Sequence, residues 1–360
     1  MSTAAPAKTP LYDVYAGTAK IVDFHGWLLP VQFAGIVEEH LATRSRAGVF
    51  DCSHMGEFIL RGRPAAEALE CLVYGDILSL PQGRCRYSAI LNDQGGIVDD
   101  CVALRLSEEE WYLVTNAGPL EQVAALLAGP GVENVTAATT KIDLQGPASR
   151  EVLLELGVEG FASLPYWTGG HASWRGTDFL ITRAGYTGEL GYELFVPNDM
   201  GHDLWRALLA HAACAPCGLG ARDTLRTEAG YPLNGEDLTE TKTPLESGME
   251  RFINWDKDFP GKTRMLRMRE EGNYTRLTAI KSPDRRAPRP GFEIQANGQT
   301  VGVVTSGTFG PSVGIGIGLA DLQPQCTAPG VQLVAGPRAL PVETAEIPIY
   351  KHGTCRMKFS

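Results

Sequence analysis

Three short segments of this 360-residue chain combine residue types that can do chemistry. The first, Tyr87-Ser-Ala-Ile-Leu-Asn-Asp-Gln-Gly-Gly-Ile-Val-Asp-Asp100, ends in adjacent carboxylates at the start of an apolar run. Successive strand side chains face opposite ways, so Asp100 falls with Val102, Leu104 and Leu106, and Asp99 with Cys101, Ala103 and Arg105. The alternation predicts that Asp99 keeps solvent and a counter-charge. Asp100, on the apolar face, loses hydration and titrates above the usual carboxylate range unless a cation compensates. Such an acid can steer a proton or hold a transient cation. An Asp that merely caps a turn before the strand would leave the same sequence.

The second segment, Thr182-Arg-Ala-Gly-Tyr-Thr-Gly-Glu-Leu-Gly-Tyr-Glu193, packs three glycines into seven residues. Glycine permits tight backbone geometry, which would bring Tyr186, Tyr192 and Glu193 together. Aromatic rings beside a carboxylate suit a planar heterocycle with paired N–H donors, because a carboxylate accepts two donors side by side. A glycine-rich hairpin with Tyr192 in the core is the plainer alternative. The third segment, Gly218-Leu-Gly-Ala-Arg-Asp-Thr-Leu-Arg-Thr-Glu-Ala-Gly230, reads as a helix from about Ala221. Arg222 lies in its first turn, where a cation opposes the helix dipole and calls for a specific partner. Arg226 and Glu228 offer structural ion pairs.

Other motifs fail on spacing. Gly261-Lys-Thr263 imitates the end of a phosphate-binding loop, but Asp256 stands where glycine is required. Gly218-Leu-Gly220 lacks the third glycine and the βαβ setting of a dinucleotide fingerprint. Cys214-Ala-Pro-Cys217 has no second pair with zinc spacing and reads as two ordinary thiols. His25 and His54 read as satisfied polar residues, and no metal site is expected.

The elements that must position these residues are partly visible. Helical spacing covers Glu38–Ala47 before Gly48, Ala65–Tyr74 after Pro64, Pro119–Ala128 before Gly129, and Met200–Ala213 capped by Asn198 and Asp199. Ile97–Leu106 with Trp111–Thr115, and Phe179–Thr182 with Glu193–Val196, read as hairpins. After about residue 275 only short strands recur between Pro/Gly turns, which indicates a small all-β domain joined through the charged stretch Arg264–Gly272. The chain is thus α+β with a β-rich C-terminal module.

Its length implies two or three domains. A net charge of −10 without a basic patch argues against nucleic acid as partner. No apolar run reaches membrane-spanning length and the first residues show no export signal, so a cytoplasmic protein with reduced cysteines is expected.

Taken in order, these segments resemble the aminomethyltransferase (T-protein) family of the glycine cleavage system. The matching run takes in Thr9-Pro-Leu-Tyr12, Val22-Asp-Phe-His-Gly-Trp27, Gly48-Val-Phe-Asp-Cys-Ser-His-Met55, Tyr87-Ser and Gly95-Gly-Ile-Val-Asp-Asp100. It continues through Thr115-Asn116, Gly146-Pro147, Gly185-Tyr-Thr-Gly-Glu189, Gly218-Leu-Gly-Ala-Arg-Asp223 and Thr305-Ser-Gly-Thr308. The resemblance implies a three-domain cloverleaf around a central folate channel. Domain 1 would comprise 1–57 and 142–239, domain 2 58–141 and 240–272, and domain 3, a barrel, 273–360. It implies Asp100 as the acidic catalytic residue beside the reactive nitrogens of tetrahydrofolate and Glu193 at the pterin edge. Tyr87, Asn116, Tyr186 and Arg222 would line the folate site, Met55 its wall, and Arg356 of the tail would add a contact. Two positions depart from the family pattern: Asn234 stands where an aromatic is usual, and Leu104 where Tyr often stands.

The implied substrate is an aminomethyl group on the dihydrolipoyl arm of an acidic carrier, the H-protein; the basic Lys351–Lys358 stretch is one candidate for its docking face. The methylene carbon passes to tetrahydrofolate, ammonia leaves, and 5,10-methylenetetrahydrofolate forms. Two readings compete: a folate-dependent demethylase of an S-, O- or N-methyl compound, and a folate-binding scaffold without transfer activity.

Overall fold

In a computed structural model the structure describes residues 5–359, and the first four residues of the segment read for an export signal lie outside them. The chain opens with a small sheet of β1 (Ala7–Lys8), β2 (Lys20–Phe24) and β3 (Trp27–Gln32), with the short α1 (Tyr12–Tyr15) between its first two strands. After α2 (Ile36–Ser45) it lays down β4 (Ala47–Asp51) and then leaves to build a separate five-stranded sheet. That sheet holds β5 (Gly56–Arg61), β6 (Cys85–Leu91), β7 (Ile97–Arg105), β8 (Glu110–Thr115) and β9 (Val132–Asn134), in the order β6-β7-β8-β5-β9. Helices α3 (Arg63–Leu72) and α4 (Leu120–Leu127) cover one face of it, burying Ala65, Ala66, Leu69, Val123 and Leu127 against Cys101, Ala103 and Trp111.

The chain then returns to β4. Strands β10 (Thr139–Gln145), β11 (Thr168–Trp174), β12 (Thr177–Arg183), β13 (Gly191–Pro197) and β14 (Cys214–Cys217) complete a six-stranded sheet, ordered β11-β12-β13-β10-β4-β14. Its outer face packs on α5 (Ser149–Glu155) and α6 (Asn198–Ala210) through Val152, Leu153, Leu204, Trp205 and Leu208. Helix α7 (Leu219–Ala229) follows, then α8 (Lys262–Glu271), and finally a closed barrel of β15 (Arg276–Lys281), β16 (Glu293–Ala296), β17 (Gln299–Gly310), β18 (Ile315–Leu322), β19 (Gln332–Ala335) and β20 (Leu340–Ala345).

The two larger sheets face each other. Val102, Leu104, Tyr112 and Val114 of one meet Leu180 and Phe195 of the other. The Tyr112 and Phe195 rings lie edge to face at 5.1 Å, a geometry worth about 0.5–1.5 kcal/mol beyond burial. Backbone bonds from Cys85 N–H to Trp167 O (3.0 Å) and Gly169 N–H to Gly83 O (2.9 Å) tie the start of β6 to β11. The interface therefore has a fixed register, and side chains at its edge are held in fixed relation.

Helix α7 locks the barrel to the rest. Every residue from Thr224 to Ala229 is buried, so its charges need internal partners. Arg226 pairs with Asp223 and Asp237 (both 2.8 Å) and donates to Ser306 of the barrel (2.9 Å). Glu228 pairs with Arg44 of α2 (2.9 Å) and accepts the Ser312 N–H (2.7 Å).

Some sequence expectations need correction. Gly48 does not end a helix but lies inside β4, where no residue is exposed. Asn198 and Asp199 belong to the first turn of α6 and make no cap bond. The charged stretch read as a join is mostly the helix α8, which buries Met265 alone and so carries almost no apolar periodicity.

Candidate active site

The site is assembled at the edge where the two sheets face. In the β6–β7 hairpin Ala89 lies opposite Asp100 and Tyr87 opposite Val102, so Tyr87 and Asp100 are diagonal neighbours on one face. The β7–β8 ladder pairs Val102 with Val114, and the same register carried two residues further sets Asn116 opposite Asp100. The Tyr87 O–H donates to Asp100 Oδ2 (3.0 Å), and Asn116 Nδ2–H donates to Asp100 Oδ1 (2.8 Å) and Asp99 Oδ1 (2.6 Å). The Asn116 backbone N–H donates to Asp99 Oδ2 (2.9 Å).

Asp99 has neither the solvent nor the counter-charge expected of it. It is 0% exposed, because α3 and α4 cover its face of the sheet, so β7 is buried on both sides. Arg105 turns away and donates to the carbonyls of Leu78 (3.1 Å) and Leu80 (2.9 Å). Burial pushes Asp100 up to about 6 against the opposing pull of the Tyr87 and Asn116 donors. Burial and the neighbouring Asp100 charge push Asp99 well above the usual carboxylate range.

The opposing sheet supplies a second cluster. Asp143 of β10 lies opposite Glu193 of β13, which lies opposite Thr182 of β12. The fully buried Lys141 pairs with Asp143 (2.5 Å) and Glu193 (3.2 Å), and Arg222 pairs with the other oxygen of Asp143 (2.9 Å). Burial pushes Asp143 up, but Lys141 and Arg222 overcome it and hold the carboxyl below its ordinary value. Arg222 thus has the specific partner that its first-turn position calls for. Glu193 takes one donor per oxygen, Lys141 on Oε1 and Thr182 (3.0 Å) on Oε2, and its side chain stays 13% exposed. Each oxygen therefore keeps a free lone pair.

Met55 and Tyr186 flank Arg222, and Tyr186 lies close enough to Asp100 to feel its charge. Met55 Sδ lies 4.0 Å from an Arg222 nitrogen, and the Arg222 guanidinium sits 5.0 Å above the Tyr186 ring. Tyr186 donates to the Pro232 carbonyl and stacks on Tyr231 at 5.8 Å. Arg356 is exposed, and its charge reaches Tyr231 at the outer side of this stack. Tyr192 does not join them: it is 0% exposed, edge-on to Phe161 in the core behind the sheet. The glycines serve close packing instead, since a Cβ on Gly185 or Gly191 would lie 2.0 or 2.2 Å from the Gln145 side chain.

Sequence reasoning missed Lys141, Asp143 and Thr182. No sequence expectation fell on Thr-Thr-Lys-Ile-Asp-Leu-Gln145, whose seven residues are all buried in β10. Opposite charges two apart on one strand face were the available signal. Glu57 was missed too: it is fully buried, neither oxygen has a partner among the described residues, and burial holds it well above the carboxylate range. His54 is buried edge-on to Phe24, and burial with the Arg222 and Lys141 charges lowers it to about 3, so it is neutral.

A half-buried acid faces a charge-balanced carboxylate with spare acceptor capacity, beside stacked tyrosines and a fixed guanidinium. That set suits a planar, N–H-rich heterocycle presented to a proton-handling group. The family model of the GCVT N-terminal domain matches residues 11–257, and that of the glycine cleavage T-protein C-terminal barrel domain matches residues 276–351. An aminomethyltransferase of Halothermothrix orenii is 36% identical over 353 residues, covering 95% of this chain and 99% of the relative. One of Geobacillus kaustophilus is 39% identical over 358 residues, covering 96% and 98%. The crystal structure of glycine cleavage system aminomethyltransferase T from Bartonella henselae superposes with a TM-score of 0.91 at 31% identity, covering 97% of this chain and 99% of that one. The chain belongs to the glycine cleavage T-protein family, a family of tetrahydrofolate-dependent aminomethyltransferases.

Proposed function

We propose that this protein transfers the methylene carbon of an aminomethyl group, carried on a sulfur of the dihydrolipoyl arm of H-protein, to the two reactive nitrogens of tetrahydrofolate in the cytoplasm. The C–S and C–N bonds of the aminomethyl group break, and the two folate N–H protons end on the freed thiol and on the released ammonia. The observation that carries the reading is the pairing of Asp100, an acid raised to about 6, with the opposing Glu193–Lys141–Asp143–Arg222 cluster. In this reading 1–57 with 142–239, 58–141 with 240–272, and 273–360 act as three domains around the site.

The residues present fit a reduced pterin. Glu193 has acceptor capacity for two adjacent N–H donors, Arg222 and Tyr186 give a flat cationic and aromatic wall, and Met55 gives an apolar one. Tetrahydrofolate, when bound, supplies the nucleophilic nitrogen. Glu193, Tyr186 and Arg222 hold its ring plane, Tyr87 and Asn116 hold Asp100, and Arg356 contacts it from the tail. Ionised Asp100 stabilises positive charge as it develops on the transferring carbon and accepts the proton that the folate nitrogen releases. Positioning of two bound partners supplies most of the acceleration, for which well-oriented neighbours are worth roughly 7–11 kcal/mol.

The test is turnover of aminomethyl-loaded H-protein with tetrahydrofolate, following ammonia and methylenetetrahydrofolate together. Equal yields of both are expected. Methyl transfer from a small S-, O- or N-methyl donor without ammonia would replace this reading, and folate binding without turnover of either donor would leave a scaffold.

A further inference from the structure

Beyond β20 the chain does not stop at the barrel but runs back as a strap, residues 347–357, over α7 and the Gly185–Glu189 turn. The Ile349 and Tyr350 N–H groups both donate to the Glu228 carbonyl (2.9 and 3.0 Å), and the Arg44 guanidinium sits 4.3 Å above the Tyr350 ring. Further on, the Cys355 N–H donates to Gly188 O (3.2 Å) and Arg183 donates to the Met357 carbonyl. The strap lies in direct backbone contact here, since a Cβ on Gly353 would fall 2.4 Å from Gly188 O.

The centre of this docking is Glu189, which is 3% exposed. Its Oε1 accepts from Arg44 (2.8 Å), while Oε2 accepts both the Thr354 N–H (3.1 Å) and the Thr354 O–H. Thr354 Oγ in turn accepts the Leu190 N–H (2.9 Å). One threonine thus supplies both donors to one oxygen of a buried carboxylate and satisfies a backbone donor of the turn. Hydrogen bonds to charged groups of this kind are the stronger ones. The Cys355 N–H donates to the Gly188 carbonyl two residues from Tyr186, and the Tyr186 ring stacks on Tyr231 beneath Arg222. The strap therefore anchors the turn that carries the aromatic wall.

We propose that Glu189 and Thr354 are positioning residues, a latch that holds the C-terminal strap against the turn carrying Tyr186 and so fixes the outer wall of the co-substrate site. This rests on the folate reading above. The latch touches no reacting atom, so it governs affinity for tetrahydrofolate and leaves the chemical step alone. Removing the hydroxyl in Thr354→Val keeps the shape, deletes the charged hydrogen bond to Glu189 and leaves the Leu190 N–H without its acceptor.

The experiment compares the full-length protein with Thr354→Val, Thr354→Ser and Gly353→Ala. Steady-state kinetics in tetrahydrofolate are set beside the rate of trypsin cleavage after Lys351 and Arg356, both exposed. Thr354→Val and Gly353→Ala are expected to raise KM for tetrahydrofolate about tenfold, with kcat kept within about twofold, and to speed cleavage. Thr354→Ser is expected to restore both. Faster cleavage with an unchanged KM would overturn the proposal, as would a fall in kcat alone or no change in either. A wild type without tetrahydrofolate-dependent turnover would instead remove the folate reading and this inference with it, while the cleavage rates would still report whether the latch holds the strap.

Discussion

Asp99 and Asp143 are both 0% exposed, both sit on strands of the same site, and they are displaced in opposite directions. Burial raises each. Asp143 has Lys141 and Arg222 against its two oxygens and falls below the ordinary value; Asp99 takes the Asn116 donors, lies beside the Asp100 charge with no paired cation among the described residues, and rises. The six-stranded side of the site is a charge-balanced frame in which Lys141 and Arg222 hold Asp143 below its ordinary value. The five-stranded side is a pair of acids that burial holds above the ordinary carboxylate range. Binding surface and proton chemistry are thus divided between the two sheets, and what divides them is the presence or absence of a buried cation.

The division also has a sign in stability. Asp100, raised to about 6 when folded, contributes stability that is full below its unfolded value and is lost as pH rises through about 6. Asp143, lowered, contributes stability present above its unfolded value and lost as pH falls through the folded one.

The largest expected effect lies on the balanced side. Lys141→Met leaves Asp143 with one cation and Glu193 with none, and should cost about 3–5 kcal/mol in urea unfolding. Loss of less than about 1 kcal/mol would show that the lysine is dispensable to the frame. On the acid side, Asp100→Asn should fold normally, bind tetrahydrofolate as before and turn over about 10²-fold more slowly or worse. Next comes Glu193→Gln, which keeps the shape but replaces one acceptor oxygen by a donor; KM for tetrahydrofolate should rise about tenfold with a smaller change in kcat. The smallest effect is Tyr87→Phe. Its hydroxyl favours ionised Asp100, so its loss should move the acidic limb of the rate profile to higher pH, with the plateau rate little changed. A limb moved to lower pH would reverse the assigned direction of that hydrogen bond.

The acid side was the more legible in sequence. Strand alternation set Asp100 on the apolar face of β7, the family resemblance added Tyr87 and Asn116, and the register brings the three together. The same alternation failed for Asp99, because it assumes one wet face and β7 has none. The frame was half legible: Glu193 and Arg222 stood in glycine-marked segments, whereas Lys141 and Asp143 hide in a strand whose polar face is dry only because the other sheet covers it. The barrel announced itself through recurrent Pro/Gly turns. Helix α8, which buries Met265 alone, had no apolar face to announce it.

The most direct test is the pH dependence of ammonia release in a single turnover of aminomethyl-loaded H-protein with tetrahydrofolate, measured for the wild type and Asp100→Asn. The wild-type rate should climb through an apparent pKa near 6 and level off, while the variant should be slower by about 10²-fold with that limb gone. A variant that keeps both the rate and the limb would show that the proton is handled elsewhere.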